Sequence, residues 1–165
     1  MDYQVVYDLT REGYQRWWLP GIGIGLSFLL VLCIVFQKPL RRISGMAFIP
    51  LIVWGVLTIN LASTGVVFIR SYGAYRTVAN YVQAGRIHVV EGQVTQFKPA
   101  VPGKGQSADE SFVVGSKRFV YSDSYALGFY QTNLYGGPIK DGLKVRVVYV
   151  SFDGHDVITR LEIAR

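Results

Sequence analysis

Two apolar runs lie close together in the first half of the chain, at residues 17–36 and 46–69, and neither contains a charged side chain. A helix rises about 1.5 Å per residue, so roughly 20 residues cross the hydrocarbon core of a bilayer. Both runs reach that length. Backbone polar groups find no water at membrane depth, so a spanning run must be helical. Residues 37–45 join the runs and carry Lys38, Arg41 and Arg42. The pattern predicts a transmembrane helical hairpin.

The first run does not read as a cleavable leader. Residues 1–16 carry both signs of charge, and Lys38-Pro39, not a small-residue cleavage site, follows the run. The basic excess also belongs to the membrane flanks. Residues 1–86 hold 8 Lys/Arg against 3 Asp/Glu, and residues 87–165 hold 9 against 8. A nearly neutral second half argues against DNA as a partner and leaves membrane lipids as the partner of the basic flanks. Cys33 is the single cysteine, so no intramolecular disulfide can form. A two-helix hairpin puts both termini on one side. Arg11, Arg16, Arg70, Arg76 and Arg86 flank that side against three basic residues in the loop, which favours cytoplasmic N- and C-termini.

Within the hairpin, Gly21 and Gly25 form a small-xxx-small step that permits close helix approach, or else a pliable start after Pro20. Asn60 and Thr64, four residues apart, share one helical face. Their polar groups need partners at membrane depth, either on the first helix or on a second protomer of a homo-oligomer. These four residues are the candidates for membrane assembly. Residues 1–16 are expected as an interfacial tail, with a short interfacial helix leading into Trp17-Trp18. Residues 70–86 carry apolar positions at helical spacing and end at Gly85, which predicts a helical stalk.

From residue 87 the period becomes two. Residues 90–97 read as a strand with a bulge or bend at Gly92. Residues 99–108 read as a Pro/Gly/Ser loop. Residues 111–114 and 117–121 read as a hairpin about Gly115-Ser116. Residues 143–150 and 157–163 read as strands about the Asp153-Gly154 turn. Short strands must hide their edges. The expected fold class is therefore a membrane α-helical hairpin plus an all-β domain, residues 87–165, forming a small five- to six-stranded OB-like β-barrel.

Catalytic signals are sparse. His88 and His155 have no sequence neighbours that suggest a metal site or a base–nucleophile pair, no phosphate-cradling loop precedes a helix, and no cofactor motif is present. The chain reads as a binding protein rather than an enzyme. The richest segment for binding runs from residue 119 to 146. Phe119, Tyr121, Tyr125 and Phe129 supply rings, Asn133 an amide, and Lys140 and Arg146 cations. Such a set can stack a base and hold a phosphate. The same rings also suit a small β core.

Several stretches carry a resemblance: Glu91-Gly92-Gln93-Val94, Glu110-Ser111-Phe112, Phe119-Val120-Tyr121-Ser122-Asp123, Gly128-Phe129, Gly136-Gly137-Pro138-Ile139, Gly142-Leu143 and Val145-Arg146-Val147. Residues 90–163 resemble a group of small bacterial two-pass membrane proteins with a C-terminal β-domain, to which no activity is assigned. In layout alone the chain is similar to the two-transmembrane β-barrel effectors of antiphage signalling, which bind a cyclic nucleotide and oligomerise to damage the inner membrane. Membrane-anchored OB-fold scaffolds share that layout. The resemblance implies an inner-membrane protein whose cytosolic domain senses a cyclic nucleotide, or alternatively docks a protein partner.

Overall fold

The structure is a computed structural model that describes residues 2–36, 49–100, 109–125 and 127–165. The basic loop at 37–45 and most of the loop at 99–108 lie outside the described residues. The chain divides into two units, Gln15–Gly73 and a second made of Met1–Tyr14 with Ala74–Arg165.

The first unit is helical. A 3-10 turn at Gln15–Trp17 leads into α2, Trp18–Val35, and a 35-residue helix, α3, Ile49–Gln83, begins after the loop. (The short helix α1, Leu9–Glu12, belongs to the other unit.) Both long helices are long and apolar enough to cross a membrane. Their surfaces are apolar nearly all round: Ile24, Phe28 and Leu29 on α2 and Leu51, Ile59 and Ile69 on α3 are exposed. Two of the residues turned inward are instead small or polar. Gly23 and Ser27, one turn apart, are buried on α2, and Leu57 is buried on α3. A Cβ at Gly23 would overlap the Thr64 side chain, so glycine there sets how closely the helices approach.

The second unit is a six-stranded antiparallel sheet in the order β1-β6-β5-β2-β3-β4, with strands Tyr3–Asp8, His88–Lys98, Glu110–Val114, Lys117–Tyr121, Lys144–Phe152 and His155–Ala164 numbered in chain order. The expected strands and both hairpin turns are present. Val114 pairs with Lys117 across Gly115-Ser116, and Phe152 pairs with His155 across Asp153-Gly154. Both residues of the second turn have positive φ, 51° and 76°, which the tight two-residue hairpin requires.

Three expectations change. Residues 3–8 do not form an interfacial helix: they are β1, paired antiparallel with β6 from Tyr3↔Ala164 to Asp8↔Arg160. Alternation had been masked by the Val5-Val6 pair, where the register shifts between Val5 and Tyr7. The sheet is open, with β1 and β4 as its edges, rather than closed into a barrel. The irregularity in β2 lies not at Gly92 but between Thr95 and Lys98, with Gln96 at φ 52°. Up to Gln93 the strand pairs with β5; from Val94 it pairs with β3. A bulge of this kind bends a strand and lets one strand serve two partners. Gly92 serves packing instead, because a Cβ there would press on Val114.

The core lies on one face of this bent sheet. Val94, Phe112, Phe119, Val145, Val147 and Leu161 are fully buried there, with Tyr7 and Leu9 from the N-terminal tail. Val78, from the last turns of α3, is buried in the same cluster, with Tyr75, Tyr81 and Val82 packed against it. The expected stalk is therefore helical but docked. Its end is a Schellman arrangement: Gly85 at φ 71° donates its N–H to Val82 O, and Arg86 donates to Tyr81 O.

Candidate binding cleft

Strand β4 leaves its outer edge unpaired. Alternation along it buries Phe119 and Tyr121 and exposes Arg118 and Val120. After β4 the chain comes back beside β6, where the Phe129 N–H donates to Ile158 O at 3.1 Å. Gly128 is required in this passage, since its φ is 87° and a Cβ would strike Val157. Between β4, this segment and the β5–β6 turn lies an open cleft of about 730 Å³.

The cleft combines rings, cations and acids. Tyr121, Tyr125, Phe129 and Phe152 line it together with Arg118, His155, Asp153 and Asp156. Tyr125 is 40% exposed, and its hydroxyl donates to Asp109 Oδ2 at 3.1 Å. Partial burial and then that bond to the carboxylate raise its pKa above the usual phenol value. Arg118 donates to Gln96 Oε1 at 3.1 Å. That acceptor is neutral, so the guanidinium charge is not cancelled by it. Asp156 is held by Lys117 at 2.8 Å and by the Ser151 hydroxyl at 2.8 Å. Burial pushes its carboxyl up, but the Lys117 and Ser151 hydrogen bonds outweigh burial and bring its pKa below the usual value. The same bond raises the Lys117 pKa. This ion pair links β4 to β6 across the gap that an open sheet leaves.

Beside the cleft, Glu110 organises the loops. It is fully buried and accepts from the Tyr121 hydroxyl at 2.5 Å, the Asn133 N–H at 2.8 Å and the Ala100 N–H at 3.2 Å. Three donors satisfy a carboxylate that would otherwise be costly to bury. Burial and then Glu110 raise the Tyr121 pKa, so this ring stays a neutral donor.

The sequence-based ligand candidates separate into groups. Tyr121, Tyr125 and Phe129 meet at the cleft. Phe119 is fully buried in the core between Phe112 and Tyr149. Asn133 sits on a 3-10 turn, where its amide donates to Ile139 O at 3.5 Å, and Lys140 is exposed on the segment before β5; neither lines the cleft. Arg146 lies on the sheet face opposite the core. There it pairs with Glu91 at 3.1 Å and Glu162 at 3.3 Å and packs over the Tyr3 ring at 4.4 Å. The Tyr3 hydroxyl donates to the same Glu91, and the Tyr3 and Arg146 bonds lower the Glu91 pKa. Arg160 continues this ladder to Glu162 and Asp8. Sequence reasoning passed over Arg118, whose exposed position in the β3–β4 hairpin was the available signal, and His155, which turn geometry brings to the cleft.

The membrane-assembly candidates also separate. The Asn60 amide donates to Gly23 O at 3.1 Å and to the Ser27 hydroxyl at 3.2 Å, and the Thr64 hydroxyl donates to Asn60 Oδ1 at 3.4 Å. Both therefore act within the hairpin. Gly21 and Gly25 have open space where a Cβ would lie, so the close approach belongs to Gly23.

No protein-family model matches this chain, and no curated protein or solved structure matches it either.

Proposed function

We propose that this is a two-pass membrane protein whose β-domain is a non-enzymatic binding module, with the cleft beside β4 as its ligand site. The observation that carries this reading is the pairing in one cleft of an exposed ring, Tyr125, with a guanidinium, Arg118, whose side-chain partner is uncharged. A planar ring stacks a base, and a guanidinium grips a phosphate with two parallel N–H groups. A nucleotide second messenger suits both. In that reading the protein is an inner-membrane effector with cytosolic termini, and ligand binding gates a membrane-disrupting assembly of several copies. Helix α3 supports the coupling, because one continuous helix carries both the apolar hairpin segment and Val78 of the β-domain core.

Sheet pairing supports the two-pass topology. Strand β1 precedes the hairpin and β6 follows it, yet they share one ladder. Both flanks of the hairpin must then lie on the same side of any membrane it crosses.

The test is titration of the full chain in maltoside micelles with cyclic dinucleotides. A domain cut at residue 87 would lose β1 and the Val78 contact. Wild-type protein should bind one of them saturably, and Arg118→Ala and Tyr125→Leu should each weaken binding about tenfold while the unfolding temperature holds. If no cyclic dinucleotide binds, the nucleotide reading falls. A protein-docking scaffold then becomes the better reading, drawing on the unpaired edge of β4 and its exposed Val120.

A further inference from the structure

The charges around the cleft beside β4 are in conflict. Among the described residues its lining holds one guanidinium, Arg118, against two carboxylates, Asp153 and Asp156. A phosphate drawn to Arg118 would meet both acids. The cation that offsets Asp156 is Lys117, which does not itself line the cleft. We propose that Asp156 sets the affinity of this cleft for anions, by competing with the ligand for the Lys117 ammonium. This rests on the cleft being a nucleotide site, and it makes the exchange of carboxylate for phosphate on Lys117 part of binding.

The cation is seated independently of its partner. Lys117 Nζ lies 2.8 Å from Asp156 Oδ2, and also 5.2 Å from the centre of the Tyr149 ring. That ring packs edge-on against fully buried Phe119 at 5.2 Å and tilted against His88 at 5.3 Å. Loss of the carboxylate therefore leaves the ammonium its aromatic contact. Asp156 has a second seat too. It faces Ser151 across the β5–β6 ladder, and its Oδ1 accepts from the Ser151 hydroxyl at 2.8 Å.

The exchange costs little. The two side chains are 39% and 22% exposed, and an ion pair in contact with water contributes weakly to stability. A phosphodiester offers the ammonium the same single charge and the same pair of oxygens as a carboxylate, so the two are direct competitors. Lys117 belongs to β4 and Asp156 to β6. The same exchange thus unties β4 from β6 at this point and ties β4 to the ligand.

Cyclic di-GMP and cyclic di-AMP, titrated into the full chain in maltoside micelles, test the competition, with the unfolding temperature of each variant as the check on folding. Asp156→Asn removes the competitor and should tighten binding about fivefold. A carboxylate that only braced the sheet would, when lost, leave binding unchanged or weaken it. Lys117→Met should weaken binding by a similar factor. In the Lys117→Met background, Asp156→Asn should tighten binding by less than about twofold, because no ammonium is left to compete for. On the wild-type chain, the Lys117 ammonium resonance in 15N-lysine spectra, assigned through Lys117→Arg, should shift on saturation with the nucleotide; this reading stands even where Asp156→Asn does not fold. Equal or weaker binding by folded Asp156→Asn, tightening that survives in full without Lys117, or an ammonium resonance that saturation does not move overturns the competition and leaves the nucleotide site standing. No binding by the wild type or by Asp156→Asn removes the nucleotide site and the competition together.

Discussion

In the helical unit the residues facing outward include Ile24, Phe28, Leu29 and Ile59, and those facing inward include Gly23, Ser27 and Asn60 beside Leu57. In the β-domain the order is reversed. Phe112, Phe119, Val145 and Leu161 are inside, and Arg118, Arg146 and Glu91 are on the surface. Hydroxyls on the outer faces of the helices close on their own backbone: Thr58 donates to Trp54 O at 2.9 Å, Ser63 to Ile59 O and Ser71 to Val67 O, both at 2.7 Å. A hydroxyl in water has no need of that arrangement, whereas one in hydrocarbon does. One chain thus carries two opposite solutions to burial. The first is what hydrocarbon would demand and the second what water demands, and the difference teaches that exposure alone does not tell a core from a surface.

The largest expected effect comes from making the same change on both sides of this contrast. Phe119→Ala should cost about 3–5 kcal/mol of β-domain stability, because it opens a cavity in a fully packed site. Phe28→Ala, at an exposed hairpin position, should leave thermal unfolding of the β-domain unchanged. The reverse pair sharpens the point. Phe28→Asp should impair membrane insertion by about 2.5–3.5 kcal/mol, while Val120→Asp on the edge of β4 should be tolerated. If Phe28→Asp leaves membrane fractionation as in wild type, the hairpin is not a membrane element.

A smaller effect is expected at the helix contact. Gly23→Val should cost about 1–3 kcal/mol of hairpin packing by pushing against Thr64, whereas Gly21→Val and Gly25→Val should cost nothing measurable. Cross-linking between cysteines placed on α2 and α3 reads the difference directly. Asn60→Leu should cost about 0.5–2 kcal/mol in the same assay, because Gly23 O and Ser27 lose a donor. Unchanged cross-linking would move Asn60 to a contact between protomers.

Acid should act on the β-domain alone. The Asp156 pKa is lowered in the fold, so its contribution is present above the ordinary carboxylate value and is lost as pH falls through the lowered one. Destabilisation should therefore start near pH 4 and deepen below it. In Asp156→Asn this component of the acid limb should be absent. A variant whose acid limb matches the wild type would show that the Lys117–Asp156 pair does not brace the open side of the sheet.

The sequence was a good guide wherever one period governed a stretch. The two apolar runs, the hairpin about Gly115-Ser116 and the strands about Asp153-Gly154 were legible because hydrophobic spacing and turn chemistry agree locally. Strand β1 was not, because the bulge between Val5 and Tyr7 breaks its alternation and its partner lies over 150 residues away. The open sheet was equally hidden, since closure depends on long-range pairing that no local pattern encodes. Of the candidate site, the rings of Tyr121, Tyr125 and Phe129 were readable as a group, but Arg118 and His155 join them only through folding. Arg146 alternates with the buried Val145 and Val147, so its place on the opposite face follows from the strand period. Its partners Tyr3 and Glu91 come from strands that the sequence could not place beside it.

The ladder between β1 and β6 also sets an order of events. Residues 3–8 leave the ribosome well before residues 155–164. Between them comes the whole hairpin, so the first strand must wait, without its partner, while both helices are synthesised. A hairpin inserted with only one helix across the membrane would strand the two halves of the ladder on opposite sides. Such a chain could never bury Tyr7 and Leu9 and would present an unfinished sheet edge to quality-control proteases. For a hairpin that enters a membrane, the β-domain would thus certify it: only an even number of crossings leaves both halves of the ladder on one side.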